Sequence, residues 1–206
     1  MPRAQERNGR AEDRVFNAIL DAVLDHRLAP GTKLTERELT EIFGVSRGAV
    51  IANPSSSETH DLFEARRVIE SALMQRLARN ITAKQIAELR AFVASEQRAY
   101  DRGDRKAGQR LSIRFHKVLS EFAGNAALDR FMEQLICRTP LLALARTGRI
   151  AYCGAADHRE VVEALARRDA AAAARRMSEH LNNVERQLGG VDEPQMPQTL
   201  AAVFSA

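Results

Sequence analysis

The 206-residue sequence contains no tryptophan, two tyrosines and two cysteines. With the large β-favouring aromatics so scarce, and alanine, leucine, arginine and glutamate dominant, the composition excludes an extensive sheet and favours helix. No apolar run approaches the ~20 residues that a bilayer-spanning helix needs, so a membrane partner is excluded. The first residues, MPRAQERNGRAEDR, are polar with no apolar stretch behind them, which excludes a secretory signal. Cys137 and Cys153 lack metal-type spacing and read as free thiols in a reducing cytosol, so the expected location is cytoplasmic. There is no HExxH pair, no phosphate-cradling glycine loop, no nucleophile motif and no general-base carboxylate at a diagnostic spacing. Those absences argue against an enzyme; a metal-dependent hydrolase or oxygenase is the remote alternative.

What is present is a succession of amphipathic helices. Val15, Ile19, Ala22 and Val23 set a first helix over 12–26, and Pro30 and Gly31 punctuate the turn after it. Thr35 to Phe43 forms a second, with Glu38 placed for a capping box and Leu39, Ile42 and Phe43 on one face. Gly44 breaks it, and Val45 to about Val50 begins a third. A helix, a short glycine-containing turn and a second helix with Ser46 and Arg47 at its start is the pattern of a DNA-reading helix-turn-helix. Residues 1–50 nevertheless carry 8 basic and 8 acidic side chains, which is neutral for a DNA-binding part.

From Ser57 onward every periodic segment is helical: 58–80, 82–102, 106–123, 125–146, 156–168 and 169–188. The first of these carries Leu62, Phe63, Val68, Ile69, Ala72, Leu73 and Leu77 as its apolar set. Gly103, Gly124 and the Gly189-Gly190 pair are the breaks, and Pro140 marks a kink. The expected fold is all-α, with an incomplete N-terminal winged helix-turn-helix and a C-terminal antiparallel helical bundle. The expected divisions are 1–52 for the DNA-binding part, 53–57 as linker, 58–190 as the helical domain and 191–206 as a mobile tail.

His116, His158 and His180 fall on three different predicted helices, each on or beside an inward face. Three imidazoles converging in a bundle suit a first-row transition metal. Spacing alone cannot bring them together, and a histidine near an apolar face is also an ordinary hydrogen-bonded core residue.

Five segments in order resemble the GntR superfamily of bacterial transcription regulators, in its FadR-type branch with the FCD effector domain. They are PGTKLTERELTEIFGVSR at 30–47, DLFEARRVIE at 61–70, FHKVLSEFAGN at 115–125, DHREVVEAL at 157–165 and MSEHL at 177–181. The resemblance implies a dimer that reads operator DNA and responds to a small organic acid. It implies DNA contacts at Arg37, Ser46 and Arg47, and effector contacts at Arg66 and Asn125. A plain ion pair with Glu64 or Glu70 is the alternative for Arg66, and helix capping explains Asn125 equally well. His116, His158 and His180 match the three histidine positions of metal-binding members, with zinc or nickel the expected ion. Ser112 stands where those members have an aspartate ligand, so water or the effector's carboxylate would complete the set.

The sequence departs from the family pattern after Arg47, where VSR runs directly into GAVIANPS. Relative to a complete winged helix-turn-helix, roughly two dozen residues are missing: most of the reading helix and nearly all of the wing. An internal deletion would leave a ligand- or metal-binding module that no longer binds DNA. An omitted segment would instead give an intact mass above 22.9 kDa.

Overall fold

The computed structural model describes residues 56–147 and 154–188 continuously, together with Ala18, Asp21, Ala22, Arg27, Leu28, Lys33, Leu34, Glu38, Ile42, Ala49 and Val50. Arg37, Ser46 and Arg47, residues 191–206 and most of the linker lie outside the described residues. The chain divides into two compact units.

In the N-terminal unit, Ala18, Asp21, Ala22, Glu38 and Ile42 are helical, each inside a helix expected from the spacing. Lys33–Leu34 (β1) pairs antiparallel with Ala49–Val50 (β2), Leu34 opposite Ala49. This two-residue ladder is the one departure from the all-α expectation among the described residues. It also corrects the third helix: Ala49 and Val50 are extended, because β1 takes up backbone groups that a continued helix would have bonded internally.

The second unit is helical throughout its described residues. Its helices are α1 (Ser56–Asn80), α2 (Ala83–Asp101), α3 (Arg105–Ala123), the part of α4 (Ala126–Thr147) before Pro140, α5 (Ala155–Ala166) and α6 (Ala170–Gln187); the remainder of α4 counts with the first unit. Side-chain oxygens set the starts. Thr82 and Gln85 form a reciprocal capping box on α2, Asp104 accepts from Ala107 on α3, and Asp169 accepts from Ala172 on α6. Gly124 ends α3 in the left-handed region at φ 66°, which costs a glycine little. Pro140 lies inside α4.

Contacts fix the directions. Arg67 meets Glu185, and Ser71 meets Ser178, so α1 and α6 are antiparallel. Arg90 pairs with Glu163 and Glu96 with His158, so α2 and α5 are antiparallel too. Glu70 meets His116 and Arg76 meets the Ala123 carbonyl, so α1 and α3 run parallel. Phe63, Leu73, Leu77, Leu89, Phe115, Leu119, Leu165, Met177 and Leu181 fill the space between them. Burying each of these large side chains stabilises the bundle by about 1.5–3 kcal/mol before chain entropy is subtracted.

The inward face of α1 differs from the sequence reading at two places. Val68 is 66 % exposed and Ala72 is also on the outside. Arg66 and Glu70 instead occupy the buried stripe between Phe63 and Leu73. The helix turns its polar pair inward, and no helix of the described residues is long and apolar enough to cross a membrane.

Candidate metal centre

The buried polar groups of the bundle gather around three histidines. His116 comes from α3, His158 from the first turn of α5 and His180 from the middle of α6; each is at most 3 % exposed. One ring nitrogen from each lies within 4.8 Å of the others. The sequence placed these residues on inward faces, and the fold brings all three together.

Each imidazole is held from behind by a carboxylate. His116 Nδ1 is 2.6 Å from Glu70 Oε2, His158 Nδ1 is 2.8 Å from Glu96 Oε2, and His180 Nδ1 is 3.2 Å from Asp157 Oδ2. An Nδ1–H donated to a carboxylate leaves the lone pair on Nε2, the arrangement of metal-ligating histidines. The Nε2 atoms of His158 and His180 are 3.2 Å apart. Two imidazole nitrogens bound at roughly 2.0–2.1 Å to one tetrahedral ion would lie about 3.3 Å apart. His116 Nε2 is buried without a hydrogen-bond partner. The donor set therefore fits a first-row dication. Phe115 stacks on the His158 ring at 4.2 Å and closes one side of the centre.

Burial alone would raise the Glu70 carboxyl, but the Arg66 guanidinium and His116 beside it win, lowering it to about 2. The Asp157 carboxyl is also held below its usual range, chiefly by its hydrogen bond with His180. Sequence reasoning did not assign Glu70, Glu96 or Asp157 to the centre. One signal was available for Glu96: it continues the apolar stripe of α2 one turn beyond Val93, where an unpaired carboxylate would be costly.

Arg66 realises the ion-pair alternative: its Nε donates to Glu70 Oε1 at 2.8 Å and its Nη1 to Thr139 Oγ1 at 3.1 Å. Its Nη2 is buried without a hydrogen-bond partner, as is Ser112 Oγ. The contacts between α1 and α3 run at sequence offsets of 46 and 47, so that Arg66 and Ser112 each lie one turn before the Glu70–His116 pair on their own helices. Asn125 lies at the start of α4, where its side-chain oxygen accepts from the Ala127 and Leu128 amides at 3.1 and 3.2 Å. It is a capping residue of that helix.

A helical domain with a buried tri-histidine cluster, behind a segment with the helix-turn-helix sequence pattern, has the organisation of a regulator. The FCD domain family model matches residues 61–183, and the model for bacterial regulatory proteins of the gntR family matches residues 11–52. The chain belongs to the FCD-containing GntR-family transcription regulators. Among solved structures, it resembles Escherichia coli McbR/YncC at 16 % identity and a TM-score of 0.67, over 84 % of this chain and 93 % of that one. A GntR regulator from Rhodococcus sp. RHA1 aligns at 20 % identity and TM-score 0.65, over 87 % and 97 %. One from Pseudomonas syringae pv. tomato DC3000 aligns at 21 % and 0.54, over 86 % and 84 %. At such identities these structures support the fold alone. No curated protein matches the chain. Both matched families are regulators rather than enzymes.

Proposed function

We propose that the helical domain, over 58–190, senses a small organic acid at a divalent metal held by His116, His158 and His180. The observation that carries this is the convergence of three buried imidazoles within 4.8 Å, each backed by a carboxylate. Zinc or nickel suits such a donor set, and Ser112 offers no carboxylate ligand. When bound, the ion supplies a positive centre that attracts an anionic ligand. That Arg66 Nη2 and Ser112 Oγ are both buried without a hydrogen-bond partner supports a role for them as donors to the same carboxylate. Asn125 has spent its side-chain oxygen on capping, so any effector contact falls to its amide nitrogen. The ligand prefers one arrangement of a homodimer and thereby changes how the two DNA-reading parts, 1–52 of each chain, meet a two-fold operator in the cytoplasm. Arg37, Ser46 and Arg47 are the proposed DNA contacts.

Protein purified without chelator should carry close to one metal per chain; less than about 0.2 would refute the metal reading. A thermal-shift screen of organic acids, with and without metal, identifies the ligand class. Arg66→Ala should weaken every carboxylate that binds, and unchanged affinity would remove Arg66 from the ligand site.

A second reading is supported by the strand pair. Leu34 and Ala49 are paired directly, leaving 14 residues between β1 and β2 for both helices of the reading head. A helical module without specific DNA binding fits that shortness. Saturable, salt-dependent binding to the protein's own promoter supports the regulator, and weak binding equal on any DNA supports the module.

A further inference from the structure

The carboxylates behind the histidines carry an inference that rests on the metal reading and goes beyond it. Metal-ligating imidazoles alone are neutral, and Ser112 contributes no charge. Glu70, Glu96 and Asp157 each reach one Nδ1, and among the described residues the one cation in contact with any of them besides the histidines is Arg66, on Glu70. Three carboxylates against one guanidinium leave a net charge of −2 around the cluster, which a dication would cancel. Two of the three carboxylates are at most 2 % exposed, so solvent does little to screen them. Glu96 Oε1 is buried without a hydrogen-bond partner, which makes its side chain costly unless a positive charge stands beyond His158.

We propose that Glu70, Glu96 and Asp157 are positioning residues that fix the three imidazoles with Nε2 turned to the metal and supply the negative charge a direct carboxylate ligand would otherwise bring. Each acts through its own histidine: Glu70 on His116, Glu96 on His158, Asp157 on His180. Their roles are not equal. Glu70 divides its charge between Arg66 and His116. Among the described residues, Glu96 meets one ionisable group, His158, so its charge serves the centre. Asp157, whose side chain is 32 % exposed, also accepts from Asn183 Nδ2 at 3.2 Å and is the replaceable member of the set.

The test is metal affinity of the full chain, stripped and reloaded with zinc or cobalt(II), by competition with a chromophoric chelator at fixed pH. Asp157→Asn keeps the shape and an acceptor for His180 but removes the charge. It should weaken binding by roughly 10–100-fold, and Glu96→Gln by at least as much. Asp157→Glu, which restores the charge, should recover affinity to within about threefold of wild type, a rescue that a merely structural role would not produce. The cobalt absorption bands should shift in the Asn and Gln variants and return in the Glu variant. Glu163→Gln, an exposed position that meets Arg90 and none of the histidines, serves as the control. If Glu96→Gln does not fold, the Asp157 pair decides alone, since that position is partly exposed. Wild-type binding with all variants within threefold would overturn the positioning role while leaving the metal site standing. So would Asp157→Glu as weak as Asp157→Asn. A wild-type chain that binds no metal would overturn both, and His158→Ala behaving like wild type would point to the same failure.

Discussion

Glu70 is the residue whose removal should be felt most widely in the free domain. Its carboxylate accepts from Arg66 Nε at 2.8 Å and from His116 Nδ1 at 2.6 Å, at 2 % exposure. Its folded pKa is about 2 against an ordinary value of 4.5. A group depressed in this way adds stability that is fully present above its unfolded pKa and is lost as pH falls through its folded pKa. The shift corresponds to about 3 kcal/mol at neutral pH. Half or more of that should be gone by about pH 3, and nearly all of it by about pH 2. Glu70→Gln imitates the protonated acid: its one acceptor oxygen can serve Arg66 or His116 but not both. Urea unfolding of wild type and Glu70→Gln, both in chelator, should therefore differ by about 3 kcal/mol near neutral pH. The gap should hold down to about pH 5 and then close steadily as acid is added. A gap that is small at neutral pH, or that does not change with pH, would refute the argument. It would mean that the desolvation cost of the buried pair consumes its electrostatic gain.

Three further changes probe the scaffold that holds the centre. A methyl group at Gly108 would stand 2.5 Å from the Tyr100 ring, so Gly108→Ala should overpack α2 against α3. The cost is roughly 1–3 kcal/mol, offset in part by about 1 kcal/mol of helix propensity, and a raised urea midpoint would refute it. Arg168, at φ 55°, donates to the carbonyls of Arg79 and Ile81 at 2.9 and 2.8 Å, where α1 ends. Arg168→Ala should cost about 1.5–3 kcal/mol, and Arg168→Gly less, because glycine relieves the left-handed backbone; equal losses would show that backbone strain is not released there. Thr82→Ala removes the α2 capping box and should cost about 1 kcal/mol, read from the same urea curves.

The helical half was legible because its punctuation is local. Thr82, Asp104, Gly124 and Asn125 announce boundaries through chemistry that needs no distant partner, and the observed helices begin or end beside them. The histidines were legible as inward residues for the same reason, since period and face are properties of one helix. Their meeting was not, because it depends on how α3, α5 and α6 cross. The carboxylates were missed by a rule that holds almost everywhere: Glu and Asp on a helix face water. On α1, the sequence reads Val68 as inward and Glu70 only as one of two ion-pair partners for Arg66, whereas the fold exposes Val68 and buries both members of the pair. A pair at i and i+4 on the stripe between Phe63 and Leu73 can enter a core only together, each neutralising the other. Glu96 breaks the rule without such a partner on its own helix, and its answer is His158, 62 residues away.

A core built in this way is expensive for a domain that needs only to fold. Arg66, Glu70, Glu96, Ser112, Ser120 and three histidines occupy buried positions where Leu, Val or Met would pack at no desolvation cost. Replacing such groups with apolar side chains often stabilises a protein, so stability does not explain why this bundle keeps them. Sensing does. A ligand shifts a regulator between two arrangements only to the extent that it binds one better than the other. A fully satisfied apolar core offers a small organic acid nothing to prefer. A centre with excess negative charge, one unpartnered imidazole nitrogen and one unpartnered guanidinium nitrogen offers a place to a cation and a carboxylate together. On the proposed reading, the free energy of that completion is what the domain can pass on, and α1, which carries both Arg66 and Glu70, is the element through which it leaves the core.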